Sequence, residues 1–275
     1  MTVKRHDVIQ KLNILKRNIL DNKYDTGKVL IFAGSFGMAG AAVMCARGAL
    51  RGGAGLVTCV TSADIIPIIQ ACVPQAMCKS LSSDLDLSKY DSIVFGPGFL
   101  IENGKDILRM VLREYDGVIV LDAEAINIIS RENLFNELVS AKADIVITPH
   151  KGEAERLLGQ SIYERKTALE EITKKTGKTV LLKGHKTLVQ KGLSIYENDT
   201  GNPALAIGGS GDVLSGIIGA FAAGGMDSFF AASAGAFVHG MAADNWADEN
   251  GTVGMTVDDL LCAIPPVINE IIGYR

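Results

Sequence analysis

Short apolar runs that end in glycine, aspartate or proline alternate along this chain with segments in which apolar positions recur every three or four residues. The runs are KVLIFAG (28–34), GLVTCVT (55–61), DSIVFGPG (91–98), GVIVLDA (117–123), DIVITPH (144–150) and TVLLKG (179–184). None alternates strictly between apolar and polar residues, as expected of parallel strands covered by helices on both faces. Helical spacing predicts helices over 40–50, 105–114, 124–129, 152–158 and 165–176. It also predicts an opening helix with Val8, Leu12, Leu15 and Ile19 on one face. Residues 186–197 read as a hairpin turning at Lys191-Gly192, and from Asp212 onward the pattern is almost wholly helical. This βα rhythm predicts an α/β protein: a three-layer α/β/α sandwich on a mostly parallel central sheet, one domain over 1–275. In such sheets ligands bind beyond the carboxyl ends of the strands.

Composition narrows the class. The chain has 275 residues, 48% of them hydrophobic, 21% charged and 30 glycines, enough for a sizeable core. A net charge of -4 and the absence of dense lysine and arginine runs argue against nucleic acid as a partner. The runs 213–226 and 228–243 are shorter than the ~20 residues needed to span a bilayer and rich in glycine and alanine, so they are expected as core helices and no membrane association is expected. The N-terminal segment MTVKRHDVIQKLNILKRN lacks the unbroken apolar stretch of a signal peptide. Five cysteines, with no CxxC pair, are expected as buried reduced thiols of a cytoplasmic protein.

The richest segment is TGNPALAIGGSGDVLSG (200–216), a glycine turn leading into an apolar helix. Its Gly208, Gly209, Ser210 and Gly211 present amides that no bulky side chain shields, and amides at a helix N-terminus suit a phosphoryl group. Asp212 is placed to accept the proton of an attacking hydroxyl; the plainer reading is a helix cap. KGHKT (183–187) puts Lys183, Gly184, His185, Lys186 and Thr187 around a tight turn able to hold a nucleotide, although as composition alone it reads as a polar turn. No GxxxxGK(S/T) string occurs, so a P-loop is excluded, and the GxxGxxG spacing at Gly34, Gly37 and Gly40 is not a dinucleotide fingerprint. TPHKGE (148–153) carries His150 at a strand end and Glu153 in the following helix turn. LDAEAIN (121–127) offers Asp122 as a substrate-orienting group or a cap, and GPG (96–98) offers Gly98 for close backbone approach.

Taken together, these segments resemble the NAD(P)H-hydrate dehydratase family of the ribokinase-like superfamily. Residues 200–216 are similar to its GNPGMATGGTGDVLSG signature, with Ala204-Leu205, Ile207 and Ser210 as mild departures. TPHKGE is similar to PHxGE, KGHKT to KGxxT, LDAEAIN to LDADALN, and the GPG to GPGLG, with Phe99-Leu100 in place of Leu-Gly. The stretch 34–58 also matches, so the resemblance runs in order from about Gly34 to Gly216.

It implies a ribokinase-like fold and ADP-dependent dehydration of the S epimer of NADH hydrate or NADPH hydrate, with AMP and phosphate released. Ala41, Ala42, Gly98, Asp122, His150 and Asp212 are implied to meet the hydrate. Lys183 to Thr187 and Gly211 are implied to meet ADP, or ATP in its place, with Gly209 to Asp212 as the catalytic turn. Glu153 stands where related kinases have a glutamate that organises Mg2+ through water. A homo-oligomer, as in tetrameric bacterial relatives, and a dehydratase unit without a fused epimerase are further expectations. Two rivals stay open: a small-alcohol kinase of the hydroxyethylthiazole type, and a non-catalytic nucleotide-binding sensor.

Overall fold

The computed structural model of the chain describes residues 1–81 and 85–273. Nine strands form one sheet: β1 Lys28–Phe32, β2 Leu56–Thr61, β3 Met77–Ser80, β4 Ser92–Phe95, β5 Val118–Leu121, β6 Asp144–Ile147, β7 Thr179–Leu182, β8 Leu188–Lys191 and β9 Ser194–Glu197. Their spatial order is β3-β2-β1-β4-β5-β6-β7-β8-β9. All pairs from β3 to β7 are parallel, and β8 and β9 close the edge as an antiparallel hairpin. Each unbroken apolar run feeds two cores. Val29 and Ile31, Val94, Val120, Val146 and Leu181 enter one. Their neighbours Leu30 and Phe32, Ile93 and Phe95, Ile119 and Leu121, and Ile145 and Ile147 enter the other. The period of two along a strand sends neighbours to opposite faces, so a strand covered on both sides has no polar face to display.

Eleven helices are seen among the described residues: α1 Arg5–Lys11, α2 Ala39–Arg51, α3 Ile66–Cys72, α4 Gly104–Glu114, α5 Glu124–Arg131, α6 Phe135–Ser140, α7 Lys151–Leu158, α8 Arg165–Thr176, α9 Ser210–Ala223, α10 Ser228–Asn250 and α11 Val257–Ile272. Residues of α2, α9, α10 and α11 build the first core, and those of α4 to α8 the second. No helix among the described residues is long and apolar enough to cross a membrane.

Several expectations are corrected. Apart from β2, the expected strands stop short of the glycines, prolines or aspartates that end their runs, so Gly34, Gly96–Gly98, Asp122 and His150 belong to loops beyond the strand ends. The opening helix is α1 followed by a 3-10 turn at Leu12–Leu15; Val8 and Leu12 are buried, but Ile19 is fully exposed. The elements β3, α3 and α6 went unpredicted. MCKS is half-polar and four residues long, whereas α3 and α6 span two turns or fewer, too short for a period to register. Of the cysteines, Cys45 and Cys59 are buried, whereas Cys72 and Cys262 are exposed; all five are free thiols.

The arrangement of α9 sets up the site. Ser215 Oγ donates to Asp122 Oδ2 at 2.7 Å just past β5, and Ser92 Oγ, at the start of β4, donates to the Gly219 carbonyl at 2.7 Å. The helix therefore runs against the strands, with its N-terminus beyond their carboxyl ends. Glycines let it lie close on α2: a Cβ on Gly216 would sit 2.1 Å from the Cys45 carbonyl oxygen, and one on Gly48 would sit 2.4 Å from that of Val213. A side chain at either position would hold the helices apart.

Candidate active site

The sheet's order reverses between β1 and β4, and the loops leaving these strands, 33–38 and 96–100, face each other. Ser35 Oγ donates to the Gly98 carbonyl at 2.9 Å, and the Gly34 amide to the Pro97 carbonyl at 2.8 Å. Gly98 has φ +60°, and a Cβ there would meet Ala41 at 2.8 Å and Met38 at 3.0 Å, so glycine is needed for this approach. Phe99, which departs from the resembled motif, is fully buried and packs edge-on against Phe95 at 4.9 Å between ring centroids. It anchors the loop that carries Gly98. Ala41 borders this crevice, whereas Ala42 is enclosed and packs beneath Gly34, so its side chain offers the crevice no surface.

The 208–212 turn stands opposite. Gly209 adopts φ +90° immediately before α9, and a Cβ there would strike the Met44 thioether. Met44, on α2, is thus the floor of the turn, a role no sequence motif announced. The amides of Gly208, Gly209, Gly211 and Asp212 have no acceptor among the described residues. Unpaired amides at the positive end of a buried helix are a ready anion site. Asp212 is not the cap, since Gly209 holds that position and no side chain caps α9.

Four charged groups converge here from four elements: Asp122 after β5, Glu153 in α7, Lys183 after β7 and Asp212 in α9. Lys183 Nζ lies 2.5 Å from Asp122 Oδ1 and 3.4 Å from where a Cβ on Gly211 would be. Asp122 is buried, held on one oxygen by Lys183 and on the other by Ser215. Burial opposes the Lys183 charge, but Asp122, Glu153 and Asp212 outweigh it and hold the ammonium above its ordinary range. Burial, then Asp122 and Glu153, pushes the Asp212 carboxyl up to about 7 against the pull of Lys183. Glu153 is raised by burial and Asp122, with Lys183 opposing. Three carboxylates therefore share one lysine. Asp212, left without a hydrogen-bond donor among the described residues, is the carboxyl brought near neutrality.

His150 caps α7. Its Nδ1 accepts from the amides of Gly152 at 3.0 Å and Glu153 at 3.3 Å, while its own amide donates to Glu153 Oε2 at 2.8 Å. Its ring is about half exposed, and its Nε2 lies 3.4 Å from Glu153 Oε1. Among the described residues no three His, Cys, Asp or Glu side chains are placed to hold a metal ion together.

Beside the cluster lies a cavity of about 610 Å3, within the size range of ligand pockets. Its walls are the 183–187 turn, the 198–207 segment, the start of α9, and Ala236, His239 and Gly240 of α10. The turn is held by Arg165, the first residue of α8, whose guanidinium donates to the carbonyls of Leu182, at 3.1 Å, and His185. Lys186 takes a left-handed φ of +53°, and Thr187 Oγ1 donates to the Gly184 carbonyl at 3.1 Å. The structure thus gathers Lys183 to Thr187, Ser210 and Gly211 at one cavity, sets Ala41 against Gly98 at the point where the sheet order reverses, and brings Asp122, Glu153 and Asp212 around Lys183. Sequence reasoning missed Arg165, Met44 and His239; each acts on another motif from a helix whose own pattern reads as amphipathic or apolar.

A family model described as NAD(P)H-hydrate dehydratase matches residues 29–266. The chain is 38% identical over 258 residues to a bifunctional NAD(P)H-hydrate repair enzyme of Coxiella burnetii, covering 90% of this chain and 51% of that protein. It is 39% identical over 228 residues to an ADP-dependent (S)-NAD(P)H-hydrate dehydratase of Neisseria meningitidis, covering 79% of this chain and 76% of that one. The chain therefore spans about half the length of the first relative. The crystal structure of the ADP/ATP-dependent NAD(P)H-hydrate dehydratase of Bacillus subtilis, co-crystallised with ATP/Mg2+, superposes with a TM-score of 0.83 at 27% identity, covering 96% of this chain and 97% of that one.

Proposed function

The chain belongs to the NAD(P)H-hydrate dehydratase family, and from that premise we propose that it uses ADP to dehydrate the S epimer of NADH or NADPH hydrate, releasing AMP and phosphate. One observation carries the reading: a partly buried carboxylate whose pKa is raised to about 7 stands beside unpaired amides at the start of a buried helix.

In this mechanism Asp212 takes the proton of the C6 hydroxyl, whose oxygen attacks the terminal phosphorus of ADP. The bond to the bridging oxygen breaks and AMP leaves. The free amides of residues 208–212 and the Lys183 ammonium stabilise charge on the transferring group. The ring nitrogen's electron pair then expels phosphate from C6, C5 gives up a proton to the departing phosphate, and the ring double bond is restored. Phosphate leaves far more readily than hydroxide, which is why the nucleotide is spent. Ala41 and Gly98 line the hydrate side, with His150 and Asp122 at its border; Lys183 to Thr187 and Gly211 line the nucleotide side.

Magnesium fits the charge balance of this site, where three carboxylates face one lysine. With no cluster of three ligands among the described residues, the nucleotide phosphates would supply most of its oxygens, and Glu153 would act through water. When bound, it neutralises phosphate charge. Residues 1–275 acting as one dehydratase domain, in a cytoplasmic homo-oligomer that is tetrameric by resemblance, belong to the same proposal.

The test is purified protein with NADH hydrate, magnesium and either ADP or ATP. Recovery of reduced-nicotinamide absorbance with equimolar AMP and phosphate is expected with ADP. A stable phosphorylated product would mark a kinase, and binding without turnover would mark a sensor.

A further inference from the structure

Helix α10 enters the nucleotide side of the site through one face. The carbonyl of Ala236 accepts from Asn198 Nδ2 at 3.1 Å, and that of Phe237 accepts from Thr200 Oγ1 at 2.9 Å. Asp244 accepts from the Gly201 amide at 2.8 Å and from Asn202 Nδ2 at 2.9 Å. Gly240 is pressed against Thr200, where a Cβ would sit 2.3 Å from Oγ1. These contacts fix the 198–202 wall of the cavity. His239, between them, reaches the opposite wall: its Nε2 lies 3.0 Å from the Ser210 carbonyl oxygen and 3.2 Å from Ser210 Oγ.

Donor counting settles the hydrogens. A carbonyl oxygen only accepts, so a 3.0 Å contact requires Nε2 to carry the proton; the other tautomer would set two lone pairs against each other. The same N–H is shared with Oγ, which then also accepts, so the Ser210 hydroxyl proton is not spent on the imidazole. No other acceptor for it occurs among the described residues, and Ser210 borders the cavity. We propose that His239 is a positioning residue that fixes the first turn of α9 and turns the Ser210 hydroxyl outward, making it a donor to the transferring phosphoryl group beside the 208–212 amides. This rests on the phosphoryl-transfer reading above. Burial, assisted by Lys183, holds the imidazole down to about 4, so it stays neutral with one hydrogen through the working range.

Two readouts test this separately. The chain has four histidines, so 15N-histidine labelling with single variants as assignments isolates the His239 signals. The expected signature is a neutral Nε2–H tautomer unchanged from about pH 5.5 to 8.5; an Nδ1–H tautomer, or titration in that interval, overturns the proposal whatever the enzyme catalyses. In single-turnover assays Ser210→Ala is expected to lower the rate by about 10²-fold, the usual loss for one such donor, with ADP affinity changed no more than a few-fold. His239→Leu should lose as much. The double variant should lose no more than the larger single loss, because both remove one oriented hydroxyl. His239→Gln keeps an N–H at the ε position and should retain activity within about tenfold of the wild type. Losses that multiply, or a wild-type rate in Ser210→Ala, overturn it. Should melting show His239→Leu unfolded, the Ser210→Ala and His239→Gln rates decide by the same limits. A wild-type protein that fails to turn over the hydrate refutes the proposed function and leaves the tautomer measurement to judge His239 alone.

Discussion

Replacing Asp212 by Asn should stabilise the fold as it destroys turnover, and the stabilisation should depend on pH in a direction the site dictates. The carboxyl is raised from its ordinary 3.8 to about 7, so its ionisation costs about 4 kcal/mol more in the folded chain than in the unfolded one, at ~1.4 kcal/mol per pH unit. Between pH 4 and 7 the folded protein keeps a proton that the unfolded chain releases. The wild type is therefore relatively stabilised at low pH and loses that advantage as pH rises through the window. Asn is neutral in both states and has no such dependence. Removing Asp212 also deprives Lys183 of a counter-charge, which offsets part of the gain, so about 2 to 4 kcal/mol is expected at pH 8. At about 2 °C per kcal/mol for a chain of this size, the melting gap between variant and wild type should widen by ~4 to 8 °C from pH 4 to 8 and then level off. Single-turnover recovery of NADH from its hydrate, run beside the melts, should fall by about 10² to 10⁴-fold, with ADP still bound. A melting gap flat across pH 4 to 8, or turnover within a few-fold of wild type, would refute the reasoning.

The remaining predictions follow from the same contacts. The turnover rate of the wild type should rise through pH 7 as Asp212 ionises, and in Lys183→Met that limb should move to higher pH, because Lys183 is the charge that lowers the Asp212 pKa; a pH–rate profile reads both. Lys183→Met should also cost about 3 to 5 kcal/mol in denaturant unfolding, since Asp122 is left buried without its cation, and should weaken ADP more than hydrate in separate titrations. His150→Ala should lose ~1 kcal/mol by removing the α7 cap and should raise the hydrate KM; unchanged hydrate kinetics would leave His150 as a cap alone. Gly216→Ala places a Cβ against the Cys45 carbonyl and should cost at least ~1 to 3 kcal/mol by overpacking, measured as a lower midpoint in urea.

How much of this was legible in the sequence depends on how far each feature reaches along the chain. The parallel strands were readable because burial on both faces leaves a run such as KVLIF without polar interruptions, a local mark of a global environment. Strand β3 was not, since its residues are only half-buried and its place at the sheet edge comes from pairing with β2. At the site, GGSGD announces its own geometry because the turn, the free amides and the carboxylate of Asp212 are consecutive. The Asp122–Lys183 pair joins residues 61 positions apart; each motif was visible, but nothing in either said that the lysine meets the aspartate. His239 is the extreme case. It lies inside an apolar helix and acts on a turn 29 residues earlier, so its role exists only in the packing of α10 against α9.

The surroundings of Asp212 suit it to the base role proposed for it. An exposed aspartate near 4 would be a poor acceptor for an alcohol proton at neutral pH, whereas one near 7 is about a thousandfold more basic. The fold reaches that value first by withdrawing the carboxyl from water and then by surrounding one lysine with three carboxylates: Lys183 is committed at 2.5 Å to Asp122, and repulsion from Asp122 and Glu153 adds to the effect of burial against the pull of Lys183. In the proposed mechanism, taking a proton from the hydrate removes that excess charge, so the transfer would lower the electrostatic cost of the cluster as the phosphoryl group reaches the amides. Asp122 therefore does more than orient Lys183. It occupies the cation that would otherwise neutralise Asp212, and Ser215, bonded to its second oxygen, keeps it there.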